Sequence, residues 1–184
     1  MELIRITADN LEKEHICCAI ASAKDPQVAA KKAWLAARLA DGLVFLKGNV
    51  RGKCFIEYLP AERAWAPVEA PGAMMIDCFW VSGQLQGHGN ATLLLNACID
   101  DCRAKGKTGL AVLSSPKKRP FLSDPGYLRR RGFAAADRAE MCIRDRDAAE
   151  EKLSAARLLL DLPAPACAEQ EAADRERAQN AESL

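Results

Sequence analysis

The chain opens on a short alternation, Leu3-Ile4-Arg5-Ile6, in which apolar and polar positions take turns as on a half-buried strand. Thr7, Asp9 and Asn10 then offer helix-capping oxygens ahead of Leu11, Ile16, Ile20 and Val28, and a first helix is expected there. A second follows in "QVAAKKAWLAARL", Gln27 to Leu39, where Val28, Lys31, Lys32, Leu35 and Leu39 recur at helical spacing and Gly42 stands at the stop. Two β-rich runs, Leu43 to Leu46 and Lys53 to Leu59, are joined by Gly48-Asn49 and Gly52, glycines that supply the positive φ a hairpin needs. "MMIDCFWV", Met74 to Val81, is a third such run and reads as mostly buried.

Past Val81 the apolar period lengthens from two to 3.6. Ala91 to Lys105 reads as a helix with Leu94, Leu95, Cys98, Ile99 and Cys102 on its inner side, stopped by Gly106. "GLAVLSS", Gly109 to Ser115, reads as an apolar strand. Asp124-Pro125 makes a helix entry, and Tyr127 to Arg131 a short helix ended by Gly132-Phe133. The resulting order, β-α-α-β-β-β-α-β-α-β, is an α/β pattern, and no internal repeat is visible.

The end of the chain has a different character. "DAAEEKLSAARLLLDL" reads as a possible amphipathic helix over 147–162, whereas "PAPACAEQEAADRERAQNAESL" has almost nothing to bury and reads as disordered. "MCIRDR", Met141 to Arg146, resembles a translated sequencing-adaptor junction, so residues 141–184 read as a foreign or frame-shifted tail behind a domain of residues 1–140. On that reading the sheet lacks its final strands and leaves an apolar edge uncovered.

Composition narrows the function. A chain of 184 residues is most simply one domain with a real core, and 26 basic against 25 acidic side chains set up no bulk field for nucleic acid or an anionic membrane. Charges within "MELIRITADN" and the lack of 18 consecutive apolar residues argue against a signal peptide or a membrane span, so a cytoplasmic location is expected. The eight cysteines then read as reduced thiols. Cys98 and Cys102 lie four apart, and His15 lies near Cys17-Cys18, but no CxxC pair supports a metal site and none is expected. Trp34, Trp65 and Trp80 read as core or pocket wall rather than as a stacking platform for nucleic acid.

The stretch between the third β-run and its helix, "SGQLQGHGN", carries the chemistry. A glycine-rich turn that opens a helix presents unpaired backbone N–H groups at the helix's positive end, where a phosphate or pyrophosphate is stabilised. A Walker loop would need Gly-Lys-Ser/Thr, and the dinucleotide fingerprint a third glycine where Thr92 stands; neither is present. Gln84, Gly87 and Gly89 fit Gln/Arg-x-x-Gly-x-Gly/Ala. With that motif and the order of flanking elements, residues 1–135 resemble the GNAT family of acyl-CoA-dependent N-acetyltransferases.

The resemblance implies an α/β, GNAT-like acyl-CoA N-acyltransferase fold: a central mixed, mostly antiparallel sheet flanked by helices. It implies acetyl-CoA as co-substrate, with Phe79, Trp80 and Val81 along the pantetheine arm and Gln84, Leu85, Gln86, Gly87, His88, Gly89 and Asn90 at the phosphates. Many members use a tyrosine four residues before the glycine of a Gly-Phe pair to protonate the departing thiolate. That place is Leu128 here and Tyr127 lies one residue earlier, about 100° around a helix. An asparagine of the family pattern is replaced by Phe121, which leaves water, Ser114 or Ser115 as other proton sources, and Ser115 is also placed beside the donor. The attacking amine must lose a proton, and Glu57 and Asp77, each within a strand, are the candidate bases. "PKKRP", Pro116 to Pro120, is a basic loop that meets the 3′-phosphate of CoA or an acidic substrate, or is simply solvated. The expected activity is acetyl transfer to an amine of a small molecule or protein by direct attack, in a monomer or homodimer. The alternative is a CoA-binding pseudoenzyme or inactive fragment.

Overall fold

The computed structural model describes residues 1–16, 22, 24–66, 68–116, 119, 122–143 and 151–161, with side chains as far as residue 137. A seven-stranded sheet runs through it in the order β1-β2-β3-β4-β5-β7-β6. The first four strands, β1 (Leu3–Arg5), β2 (Val44–Gly48), β3 (Cys54–Pro60) and β4 (Met74–Val81), form an antiparallel run of sequence neighbours. Helix α1 (Pro26–Leu39) lies between β1 and β2. Helix α2 (Asn90–Ala104) carries the chain from β4 to β5 (Gly109–Ser114), which joins parallel to β4. Helix α3 (Pro125–Arg130) precedes β6 (Ala134–Ile143) and β7 (Glu151–Asp161).

Strand alternation sorts the apolar side chains onto two faces. Ile56, Tyr58, Met74 and Ile76 pack with Leu94, Leu95, Cys98 and Cys102 of α2 and with Leu128 and Phe133 beyond. Phe45, Phe55, Leu59 and Met75 pack on the other side with Leu35 of α1 and with Ile6, Leu11 and Ile16. The Phe45 and Phe55 rings stack there at 5.1 Å. Helix α1 starts where Asp25 accepts a hydrogen bond from the Gln27 N–H at 2.9 Å and Pro26 fills the first turn.

One carboxylate ties three elements together. Asp101 of α2 accepts from Arg5 of β1 at 2.5 Å, from the Tyr58 hydroxyl of β3 at 2.8 Å and from Lys105 at 2.7 Å. Burial works against its ionisation, yet the donors Lys105, Arg5 and Tyr58 together hold its carboxyl below the usual range. No helix among the described residues is long and apolar enough to cross a membrane.

Several expectations are corrected. Among the described residues the first helix does not form: Thr7 to Asn10 close turns instead, with Asn10 accepting from the Thr7 N–H at 2.8 Å and donating to the Arg5 carbonyl at 2.9 Å. Side-chain oxygens read as caps serve a turn just as well. Ile20, Cys17 and Cys18 lie outside the described residues. Gly48 remains in the strand without a positive φ, and only Gly52, at φ 133°, supplies that geometry in the hairpin. Trp65 is neither core nor pocket wall: it is 90% exposed. The sheet does not stop at Phe133. Backbone strands β6 and β7 follow, and the possible helix over 147–162 is replaced by β7, paired antiparallel to β5 from Gly109↔Asp161 to Ser114↔Ala156. An open edge on β5 offers ladder partners that a helix cannot use, which outweighs helical periodicity in the sequence. Residues 144–150 and 162–184 lie outside the described residues.

Candidate active site

The site begins where the sheet splits. β4 pairs with β5 only from Met74↔Leu110 to Ile76↔Val112, whereas on its other edge β4 stays paired with β3 as far as Val81↔Cys54. Glu57 pairs with Cys78 and Tyr58 with Ile76, so Asp77 is an extra residue on β4. Such a bulge bends its strand and ends local pairing. Residues 77–81 therefore run on beside a gap rather than beside β5.

A cleft of about 490 Å³ fills that gap. Phe79 and Val81 of β4 form one wall, and Leu85, Gln86, Gly87 and Gly89 form the end. Ser123, Asp124, Tyr127 and Arg130 form the far wall. That wall is held in place by a parallel bridge between Ser114 and Ser123, with the Ser114 hydroxyl donating to the Ser123 carbonyl at 2.6 Å. Asp124 then caps α3 by accepting from the Tyr127 N–H at 2.7 Å.

The loop is built from its backbone. Gly87 and Gly89 have φ of 79° and 75°, and no protein atom lies within 4 Å of where a Cβ would stand on either. Neither glycine is needed to avoid a protein contact, so each serves the left-handed conformation and leaves open the space in front of the loop. Gly89 is the N-cap of α2 and provides no side-chain cap, so the first N–H groups of the helix are not satisfied by it. The Gln86 amide donates to the Val81 carbonyl at 2.7 Å and the Asn90 amide to the Leu85 carbonyl at 2.8 Å, lacing the loop in shape. The arrangement suits a polyanion at the positive end of α2.

Tyr127 faces the cleft while Leu128, the next residue, is fully buried in the core. The Tyr127 ring meets Phe79 at 6.0 Å and 57°, and the Arg131 guanidinium lies 5.4 Å from its centre. Arg131 also donates to the Thr92 hydroxyl, which ties α3 to the first turn of α2. The Tyr127 hydroxyl is buried and has no hydrogen-bond partner in the described structure. Such a group costs about 1–3 kcal/mol until something accepts from it. Rotation by one residue has thus put a tyrosine on the cleft even though the family position holds leucine.

Glu57 lies on the opposite face of the sheet, among the residues packed under α1, and is fully buried. Lys31 of α1 brings its Nζ to 3.0 Å from each carboxylate oxygen. Burial pushes the Glu57 carboxyl up to about 7 from an ordinary 4.5, with Lys31 opposing the rise and Asp77 adding to it. The folded chain therefore holds an extra proton between about pH 4.5 and 7, and stability is lost as pH rises through that window. The loss should be on the order of 3 kcal/mol, and Glu57→Gln should flatten it in denaturant titrations at pH 5 and 8. An equal slope in both proteins would show that another group is responsible.

The cleft thus gathers Phe79, Val81, Leu85, Gln86, Gly87, Gly89, Asn90 and Tyr127 from the expected set. It does not include Trp80, which turns to the α1 face with Lys53 5.0 Å from its ring centre. A strand that lines a cleft with Phe79 and Val81 must point the residue between them the other way. Gln84 and His88 are exposed, Asp77 is exposed at the bulge, and Ser115 is buried beyond the end of β5; none of them lines the cleft. Phe121, Lys117, Lys118 and Pro120 lie outside the described residues. The sequence reading missed Asp124 and Arg130 as walls, and Thr92 as a contact of Arg131. The Asp-Pro helix entry was the available signal for the first. Among the described residues, Cys54, Cys78, Cys98 and Cys102 form no disulfide, and no group of three or more His, Cys, Asp or Glu could hold a metal ion.

No family model matches the chain. Over 137 residues, 74% of its length, it is 46% identical to the uncharacterized N-acetyltransferase YoaP of Bacillus subtilis (strain 168). It spans 55% of that relative's length. Among solved structures, a GNAT-family chain from Desulfovibrio desulfuricans matches with a TM-score of 0.56 at 16% identity, over 87% of this chain and 98% of that one. The yncA structure from Salmonella typhimurium, determined with its cofactor acetyl-CoA, matches with a TM-score of 0.58 at 15% identity, over 88% and 94%. The split beside β4, the glycine loop at the start of α2, this shared architecture and the kinship to an N-acetyltransferase sequence together make the chain a protein of the GNAT fold.

Proposed function

We propose that the chain is an acyl-CoA-dependent N-acetyltransferase that moves an acetyl group from acetyl-CoA to a primary amine. The observation that carries this is the cleft. It combines a stretch of β4 unpaired on its β5 side, a loop of backbone donors and a buried tyrosine hydroxyl in one 490 Å³ space. The pantetheine arm would lie along residues 77–81, its amides completing the ladder that β5 abandons, and its pyrophosphate would take the N–H groups at Gly87 to Asn90. An amine, once deprotonated, attacks the thioester carbon directly. The C–N bond forms, the C–S bond breaks, and the thiolate takes a proton from Tyr127. No covalent enzyme intermediate is needed.

The machinery so placed lies within residues 1–140, which we take as the transferase unit. The near-balanced charge supports a small amine or protein acceptor rather than nucleic acid, with the chain acting as monomer or homodimer. Thiols outside disulfides at Cys54, Cys78, Cys98 and Cys102 support a cytoplasmic location.

The test is thermal denaturation with and without acetyl-CoA. A ligand at 100 times its dissociation constant adds about 2.7 kcal/mol, which should raise Tm by several degrees for a domain of this size. CoA release on addition of primary amines would then establish transfer. A melt that does not move with millimolar acetyl-CoA rejects the proposal, and binding without CoA release over a broad amine panel would leave a CoA-binding module in its place.

A further inference from the structure

Tyr127 reaches the cleft from a position about 100° around the helix from the one that the family pattern uses, so its placement needs a cause of its own. The hydroxyl is not that cause, because it has no hydrogen-bond partner in the described structure. What holds the ring is its neighbours. Phe79 of β4 meets it at 6.0 Å and 57°, and the Arg131 guanidinium stands 5.4 Å from its centre. Residues four apart share one face of a helix, and an aromatic ring attracts a cation within about 6 Å of its centroid. Arg131 is exposed, and among the described residues no carboxylate pairs with it. An exposed arginine in that condition ordinarily keeps most of its rotamer freedom. This one is moored, because it donates to the Thr92 hydroxyl in the first turn of α2. The ring therefore rests against the strand along which the donor would lie and against a cation tied to the helix that would take the donor's phosphates.

We infer that Arg131 is a positioning residue for acetyl transfer: moored to Thr92, its guanidinium holds the Tyr127 ring so that the hydroxyl is aimed at the departing sulfur, a reading that rests on the transferase activity proposed above. In the step it serves, the amine nitrogen bonds to the thioester carbon and the C–S bond breaks. The Tyr127 O–H proton passes to the sulfur, and the phenolate left behind recovers a proton from solvent. Such a transfer needs a heavy-atom separation of about 2.6–3.2 Å, and a misplacement of about 1 Å can cost about 10²-fold. Replacing Arg131 by methionine removes the cation and the mooring together and frees the ring to swing.

The experiment joins ring dynamics to kinetics in wild type, Arg131→Met and Arg131→Lys. The chain has 2 tyrosines, so ring-¹³C-labelled tyrosine gives two sets of NMR signals, and Tyr127 is assigned by its loss in Tyr127→Phe. Tyr58 is fully buried with its hydroxyl bonded to Asp101 and serves as the rigid reference. The Tyr127 ring should be nearly as ordered as that of Tyr58 in wild type, lose order in Arg131→Met and regain it in Arg131→Lys. CoA release from saturating acetyl-CoA, with the most active primary amine of the panel, should show kcat about 10-fold lower in Arg131→Met and recovered in Arg131→Lys, with the Kd for acetyl-CoA within about twofold throughout. In a Tyr127→Phe background the methionine substitution should cost nothing further, because the hydroxyl it serves is gone. An equal fractional loss with and without that hydroxyl would overturn the inference, since Arg131 would then act through the fold. So would a Tyr127 ring as ordered in Arg131→Met as in wild type. Absence of CoA release by wild type over the whole panel would instead defeat the transferase reading, while ring order would still report whether Arg131 holds the tyrosine.

Discussion

Tyr127→Phe should lower kcat for acetyl transfer by about 10²- to 10⁴-fold and leave the Kd for acetyl-CoA within about twofold, the range of a single positioned acid or base. The expectation comes from the hydroxyl itself. It is buried in the cleft wall and partnerless, on a ring fixed between Phe79 and Arg131. Phenylalanine keeps those ring contacts and removes only the O–H, so the fold should survive; the variant loses an unsatisfied buried group and should melt no lower than wild type. Steady-state CoA release at saturating donor reads the first effect and isothermal titration the second. A kcat unchanged in Tyr127→Phe would mean that solvent protonates the thiolate, and would reduce Tyr127 to a wall of the pocket.

Gly89→Val should weaken acetyl-CoA binding by about 10²- to 10⁴-fold, the loss of two charge-assisted backbone hydrogen bonds at about 1.5–3 kcal/mol each. Gly89 is the N-cap of α2 with φ 75°, a conformation that a β-branched residue adopts only at a cost of about 1–2 kcal/mol. Its Cβ would meet no protein atom within 4 Å, so the branched side chain would stand in the open space before the loop, where the phosphates are to lie. The protein should therefore remain folded at 25 °C while the thermal shift with acetyl-CoA disappears. Full donor affinity in a folded Gly89→Val protein would move the phosphate site away from this loop.

The parts of the fold that could be read beforehand are those in which local signals agree. Asp124-Pro125 announces α3, the spacing of Val28, Leu35 and Leu39 announces α1, and the runs that became β3, β4 and β5 are apolar enough that burial leaves no other option. The glycine loop was legible because φ near 75° is a demand that sequence records directly. Three things were missed, each for a reason of its own. Asn10 can cap a helix or close a turn, and only contacts with Arg5 and Thr7 decide. Trp80 was placed with its neighbours although alternation along a strand assigns it to the other face, an inference available once β4 was accepted. Lys31 stood in the apolar stripe of α1 as an anomaly, and its partner lay 26 residues away on a strand. A buried ion pair between distant elements leaves no local mark on either.

The way β5 is joined to the rest also bears on the route by which the chain folds. Strands β1 to β4 are sequence neighbours paired antiparallel, β2 to β3 through a short hairpin and β3 to β4 without a crossover, so loop closure costs them little and they can zip early. β5 must wait for the whole of α2 and then gains only three parallel pairs against β4. The gap that binds the donor is bounded by both parts, so it is expected to be the last region of the sheet to close, and nascent chain would have no affinity for acetyl-CoA until α2 has docked.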